Sequence, residues 1–133
     1  MKAVLIYALV DPRDNSIFYV GQTDNIARRM KAHIRDGRRA IETGEMQVQC
    51  GNPQKAVIIG DIIANGDEPV VRVLEKLHPV QKDWRTTSAI FEIEALWILE
   101  MQRQGEPVVN TVTHIALSDA HDRISQLKAL HKL

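Results

Sequence analysis

The chain has little cysteine, few aromatic residues and no long apolar run. Cys50 is the single cysteine among 133 residues, which excludes an intramolecular disulfide and favours a reducing compartment. Its histidines never reach the spacing of zinc ligands. No stretch approaches the ~18 apolar residues of a membrane span, and the apolar opening segment meets Asp11 without a small-residue cleavage site. We therefore expect a cytoplasmic, intracellular protein with no structural zinc and no membrane partner.

Net charge is also absent, because 17 basic and 17 acidic residues cancel. A neutral sum argues against nucleic-acid binding, but the charge distribution argues for it. Residues 28–39 hold six basic side chains and one acidic side chain, and segregated charge of this kind attracts a polyanion. A solvated helix face is the simpler interpretation of a charge run taken alone. The residues expected to contact nucleic acid are Arg28, Lys31, Arg35, Arg38 and Arg39.

Residues 4–10 and 17–22 predict an antiparallel hairpin. Both segments are rich in β-branched and aromatic residues and flank a turn that contains proline. With the hairpin centred near Arg13, Tyr7 lies opposite Tyr19 and Leu5 lies opposite Gly21. Directly opposed residues share one face of a sheet, so both phenol hydroxyls are expected on the same side.

Cap and stop residues delimit the remaining elements of what the length predicts to be one domain. The first helix is expected to begin at Asp24 or Asn25 and to end at Gly37. The other predicted elements are a helix from Asn52 to Gly66, a strand over residues 69–77, a helix from Thr87 or Ser88 to Gly105, an extended segment over 108–111 and a tail helix over 118–130.

Glu94 lies at a position where a carboxylate is costly. Five large apolar residues fall within about 60° of it on a helical wheel: Ile90, Phe91, Trp97, Ile98 and Met101. A carboxylate in such an arc needs an ion pair, hydrogen bonds or a metal ion. One interpretation is a structural ion pair with Arg72 or Arg29. The other is a magnesium-class cation, which accepts one or two carboxylates and completes its shell with water and phosphate oxygens.

Arg29 and His33 lie one turn apart, so their side chains share a face of the first helix. The planar guanidinium fork of arginine matches phosphate oxygens, and histidine transfers protons near neutral pH. Each alone is most simply a surface charge. Beside two tyrosines that share a sheet face, this pair predicts a site that binds a phosphate group and transfers a proton.

In order along the chain, these residues resemble the motifs of GIY-YIG endonucleases, particularly the phage-type homing enzymes and related restriction enzymes. The resemblance covers residues 3–112. Five motifs carry it: Leu5-Ile6-Tyr7, Tyr19-Val20-Gly21, Arg29 with His33, Glu94 with Trp97, and Gly105 through Asn110.

The resemblance implies an α+β fold with a small three-stranded antiparallel sheet flanked by helices and a C-terminal tail helix. Residues 1–112 would form the nuclease domain, and residues 113–133 a helical tail within the same single domain. The implied activity is metal-dependent hydrolysis of phosphodiester bonds in DNA. Double-stranded DNA is the expected partner and one Mg²⁺ or Mn²⁺ the expected cofactor. A double-strand break would require a homodimer or two successive nicks.

The resemblance also implies roles for five catalytic residues. Glu94 would hold the metal ion, and Arg29 would bind the non-bridging oxygens of the phosphate. His33 would accept the proton that the tyrosine takes from the water. Tyr7 would take a proton from the attacking water, and Tyr19 would position the water or the phosphate. Because the ordinary pKa of tyrosine is near ~10, a base role calls for a lowered pKa, which Arg29 and a metal ion both favour.

Two further residues, Asn110 and Gly21, are expected to support the site rather than enter the chemistry. Leu5 replaces the first glycine of the family name, and residues 35–76 lack the additional histidine or tyrosine of some homing-type members. These departures leave room for two alternatives. One is a weak or inactive nucleic-acid-binding module on the same fold, and the other is a protein-interaction module whose tail helix docks a partner.

Overall fold

The computed structural model describes residues 2–43, 52–79, 83–110 and 120–131. Its elements are β1 (Val4–Asp11), β2 (Ser16–Thr23), α1 (Ile26–Thr43), α2 (Pro53–Ala64), β3 (Val70–Leu77), α3 (Trp84–Arg103) and α4 (Ala120–His131). Three features of the sequence interpretation lie outside the described residues: Cys50, Thr111 and the predicted start of the tail helix at residues 118–119.

The three strands form one antiparallel sheet in the order β2-β1-β3. Strand β1 is central, and Ile6, Tyr7, Ala8 and Leu9 are fully buried. Because side chains alternate between the faces of a strand, Ile6 and Ala8 pack with α3 and α4, whereas Tyr7 and Leu9 pack with α1 and α2. The predicted α+β fold, a three-stranded sheet flanked by helices with a C-terminal helix, is confirmed.

The predicted register of the hairpin is wrong by two residues. Tyr7 lies opposite Gly21, Leu9 lies opposite Tyr19 and Leu5 lies opposite Thr23. The turn pairs Asp11 with Ser16, and an irregularity between Leu9 and Val10 leaves one extra residue in β2. Since side chains alternate with a period of two, a two-residue shift keeps both tyrosines on one face.

Helix α1 continues past its predicted end, because Gly37 is a packing residue and not a stop. A Cβ atom at Gly37 would lie 2.4 Å from Cγ2 of Ile59 in α2, and a Cβ atom at Gly60 would lie 2.9 Å from the Gly37 carbonyl oxygen. The two glycines therefore let the backbones of α1 and α2 approach closely. The helix ends at Thr43.

The caps of the next two helices differ in how well the sequence predicted them. Asn52 caps α2 as expected, and its side chain accepts a hydrogen bond from the Lys55 amide at 3.0 Å. Helix α3 begins earlier than the predicted Thr87 or Ser88, because Asp83 accepts a hydrogen bond from the Thr86 amide at 2.9 Å. A carboxylate at an N-cap is favoured over a later hydroxyl by the positive end of the helix dipole.

The segment after α3 runs along the outer edge of β2. The Val109 amide donates to the Phe18 carbonyl at 2.9 Å, and the Ile17 amide donates to the Glu106 carboxylate at 2.8 Å. Beyond it, Ile124 and Leu127 of α4 are buried in the cluster formed by the sheet and α3. None of the described helices combines the length and apolarity needed to cross a membrane. The domain division at residue 112 stays a prediction.

Candidate active site

A buried hydrogen bond joins Tyr7 of β1 to His33 of α1. The Tyr7 Oη atom lies 2.7 Å from Nε2 of His33, and both side chains are fully buried. Burial lowers the pKa of His33 to about 3, and the positive charges of Lys55 and Arg29 act in the same direction. His33 is therefore neutral in the free protein, in a state to accept the hydrogen bond of the Tyr7 hydroxyl.

Tyr19 completes an aromatic cluster on this face of the sheet. Its ring centroid lies 5.4 Å from that of His33, and the Tyr7 centroid lies 5.9 Å from His33, both in edge-to-face geometry. Tyr19 is half-buried, in contrast to Tyr7. The expectation that both phenols point to the same side is met despite the altered register.

Arg29 lies one turn before His33 and interacts with both phenols. Burial raises the pKa of Tyr7 to about 12, against a lowering interaction with Arg29. Burial likewise raises the pKa of Tyr19, against the positive charge of Arg29. Arg29 by itself does not give the expected lowering of a phenol pKa, because desolvation of the phenolate outweighs the guanidinium.

Glu94 of α3 interacts with this site through its charge. Its side chain is half-buried, and burial raises the pKa of its carboxyl to about 7 against the positive charge of Arg29. Its negative charge in turn contributes to the raised pKa of Tyr7 and Tyr19. Phe91 departs from the predicted apolar arc, because it is 59% exposed while Ile90 is buried.

The donor set around Glu94 suits a hard cation that carries much of its own shell. Within the described ranges, no three histidine, cysteine, aspartate or glutamate side chains form a closed metal site. Magnesium requires only one or two carboxylates, with water and substrate oxygens as its other ligands. A divalent cation would also stabilise the ionised carboxylate that burial disfavours. Glu94 therefore fits the metal ion that the resemblance implies.

Two residues support this geometry through the backbone of β2. A Cβ atom at Gly21 would lie 2.6 Å from the Tyr7 hydroxyl oxygen and 3.0 Å from Cε2 of Tyr19. The Asn110 side chain accepts from the Val20 amide and donates to the Val20 carbonyl, each at 2.9 Å. Gly21 thus leaves room for the Tyr7 hydroxyl, and Asn110 holds the edge strand between the two motif residues Tyr19 and Gly21.

Lys55 and Asp36 belong to the same cluster, although sequence reasoning missed both. The Lys55 ammonium lies 3.6 Å from the Asp36 carboxylate and 5.2 Å from the Tyr19 ring centroid. A signal was present in the sequence, since Lys55 shares its helix stripe with Ile59 and Ile62. The helical-wheel argument that identified Glu94 applies to it equally.

The five predicted nucleic-acid contacts are exposed and lie on the opposite side of α1 from Arg29 and His33. At about 100° per residue they span an arc of about 100° on the helical wheel. Four of them line a shallow groove together with Ile34 and Glu42. The residues on this outer basic face are Arg28, Lys31, Arg35, Arg38 and Arg39.

Comparison with known proteins agrees with this arrangement. The family description of the GIY-YIG catalytic domain matches residues 3–106. No curated protein and no solved structure gave a significant match. The matched region covers most of the chain and includes Tyr7, Tyr19, Arg29, His33 and Glu94. The chain therefore belongs to the GIY-YIG family, whose catalytic domain is a nuclease fold.

Proposed function

We propose that this protein is a metal-dependent DNA endonuclease that hydrolyses phosphodiester bonds. One observation carries the proposal. The hydrogen-bonded pair of Tyr7 and His33 lies beside Arg29 and within the electrostatic reach of Glu94. A proton acceptor, a phosphate-binding cation and a metal-ligating carboxylate are three groups that metal-assisted hydrolysis of a phosphodiester uses.

Glu94 is the proposed ligand of one Mg²⁺ or Mn²⁺ ion. Such an ion, when bound, supplies Lewis-acid stabilisation of the charge that develops on the leaving oxygen. The half-buried position of Glu94 excludes part of the surrounding water, which strengthens its attraction for a cation. Glu94 thereby sets the side of the scissile phosphate on which the leaving group departs.

Arg29 is the proposed ligand of the non-bridging phosphate oxygens. Its guanidinium is half-buried beside two uncharged phenols, so its charge is less screened than that of an exposed arginine. Negative charge grows on those oxygens in the transition state. Arg29 therefore contributes more to turnover than to DNA affinity.

Tyr7 and His33 form the proposed path for the proton of the attacking water. With a pKa of about 12, Tyr7 is a neutral phenol at neutral pH. It therefore acts as a relay, in which its oxygen receives the water proton while its own proton passes to Nε2 of His33. The negative charge of a bound phosphate raises the pKa of His33 and so favours this transfer. Tyr19, which is half-exposed, is the proposed positioner of the water or phosphate.

Cleavage of supercoiled plasmid DNA tests the proposal directly. We expect nicking in the presence of Mg²⁺ or Mn²⁺ and no nicking in a chelator. Glu94→Ala should abolish cleavage while DNA binding and folding are retained, whereas Glu92→Ala on the same helix should cut like the wild type. Wild-type cleavage by Glu94→Ala would refute the site. A folded wild type that binds DNA and never cuts would favour a binding module on the same fold.

A further inference from the structure

Lys55 is a buried lysine that the proposed chemistry does not use. It is 3% exposed and lies in the first turn of α2, on the stripe that also carries Ile59 and Ile62. Burial of an ammonium group is costly even with a partner, and an apolar residue at such a position is frequently no less stable. Its location therefore calls for a reason beyond packing.

The position of Lys55 in the helix adds a second cost. It is the third residue after the Asn52 cap, where the helix dipole presents its positive end. A cation there is disfavoured by the positive end of the helix dipole. Neither burial nor helix electrostatics explains a lysine at this position.

The surroundings of Lys55 point to the active site. Asp36 of α1 pairs with the ammonium at 3.6 Å, and that ammonium lies 5.2 Å from the centroid of the Tyr19 ring. Tyr19 packs edge to face on His33. A cation over an aromatic face restrains the ring, so Lys55, Tyr19 and His33 form one connected cluster.

The charged and titratable groups that face His33 come from four elements. They are Tyr7 from β1, Tyr19 from β2, Arg29 from its own helix α1 and Lys55 from α2. The two cations both oppose a positive charge on the imidazole. Its Nδ1 atom is buried without a hydrogen-bond partner among the described residues, and the neutral tautomer that accepts at Nε2 carries its one proton there.

We propose that Lys55, paired with Asp36, is a positioning residue of the active site: its ammonium restrains the Tyr19 ring and keeps the His33 imidazole neutral, so that His33 accepts the hydrogen bond of Tyr7. This inference rests on the proposed nuclease function for its meaning. It predicts that removal of the charge changes turnover and the titration of His33 without changing DNA affinity, because a side chain that is 3% exposed does not reach DNA phosphates.

The first measurement is an NMR titration of His33, assigned by comparison with His33→Ala. In the wild type, His33 should remain neutral well below the ordinary histidine pKa, as its value of about 3 indicates. Lys55→Met keeps the aliphatic volume and removes the charge, so the His33 pKa should rise. Lys55→Arg keeps the charge and should leave His33 neutral. Lys76→Met, an exposed lysine on β3, is the matched control.

The second measurement separates turnover from binding. Lys55→Met should lower kcat for plasmid nicking because the Tyr19 ring is no longer restrained; we expect a loss of about 10–100-fold, the scale known for residues that orient metal ligands, while the Kd for DNA stays unchanged. Lys55→Arg should recover part of the turnover. Lys76→Met should match the wild type in both.

Each outcome decides the inference. A folded Lys55→Met with wild-type turnover and wild-type His33 titration would overturn it, as would a loss of DNA affinity equal to the loss of kcat/KM. If Lys55→Met does not fold, Asp36→Asn decides, because loss of the partner of the ammonium should lower kcat at unchanged Kd, and wild-type turnover by a folded Asp36→Asn would overturn the role of the pair. If the wild type never cuts DNA, the nuclease proposal fails, yet the His33 titration still tests Lys55.

Discussion

The two faces of helix α1 differ in burial, in partners and in the way they act on DNA. The inner face carries Arg29, His33 and Asp36, each in contact with or electrostatically coupled to a specific group from another element. The outer basic face carries exposed side chains such as Arg35 and Arg38 along a shallow groove. One helix thus carries both kinds of charge. On the inner face each side chain acts through its position relative to specific groups, and on the outer basic face the side chains act through their summed charge.

The difference follows from the dielectric environment of each face. A charge that is half-buried, such as Arg29, interacts strongly with a few neighbours at fixed distances. An exposed charge is screened by salt within about 8 Å at physiological ionic strength, so it contributes to a field rather than to one contact. The inner face should therefore govern turnover, and the outer basic face should govern affinity and its salt dependence.

Of the two faces of α1, the largest expected effect is the loss of Arg29 from the inner face. Arg29→Ala should lower kcat by about 10²–10³-fold, because it removes a preorganised charge from the transition state, while the Kd for DNA changes little. Single-turnover cleavage at saturating DNA and binding in chelator measure the two quantities. Arg72→Ala, an exposed arginine on β3, is the control for a change of one charge. A fall in DNA affinity without a fall in kcat would contradict the claim that the inner face governs turnover and the outer basic face governs affinity.

A smaller effect is expected when the pH is lowered. The apparent Mg²⁺ affinity of the site should change with pH, whereas DNA binding by the outer basic face should not. Burial raises the pKa of the Glu94 carboxyl to about 7, so a proton competes with the cation below that pH. The apparent affinity for Mg²⁺ should fall about tenfold for each pH unit below 7. DNA binding in chelator should stay constant, because arginine and lysine keep their charge there. Titration of cleavage with Mg²⁺ at several pH values measures the first quantity.

The contrary result for this pH dependence would be a constant Mg²⁺ affinity between about pH 6 and about pH 8. Glu94 would then be ionised throughout and would not compete with protons for the metal ion. DNA binding that weakened over the same range would instead place a titrating group in the DNA interface.

The smallest effect is expected on the outer basic face. Arg35→Ala combined with Arg38→Ala should weaken DNA binding several-fold and reduce the slope of log K against log salt by about 0.9 for each phosphate that the variant no longer neutralises. Turnover at saturating DNA should not change. Binding measured over a series of salt concentrations tests this, with Arg72→Ala again as the matched loss of exposed charge. An unchanged salt slope would mean that this face is merely solvated.

Local patterns in the sequence were sufficient for most of the fold. The β-branched and aromatic residues on either side of a proline-containing turn predicted the hairpin of β1 and β2, and Asn52 predicted the start of α2. The helical periodicity of about 100° per residue located Glu94 within an apolar arc of its helix. These predictions succeeded because each depends on interactions among residues within one or two turns or strands.

Non-local packing decided the features that sequence reasoning got wrong or missed. Glycine is a residue type that commonly ends helices, but Gly37 lies within α1. Its lack of a Cβ atom allows α2 to pack closely against α1. An irregularity in β2 places Gly21, and not Tyr19, opposite Tyr7. Neither contact leaves a local pattern, because the partner residue lies far along the chain or in another strand.

The sequence by itself determined the family, the order of the elements and the chemical types of the five motif residues, since these follow from residue identity and spacing. Only the tertiary structure decided that His33 is buried against Tyr7, that the charge of Glu94 on α3 acts on both phenols and on Arg29, and that Lys55 joins the cluster. Residue identity sets what a side chain can do. Burial and neighbours set its charge state, and both depend on elements that meet only in the folded protein.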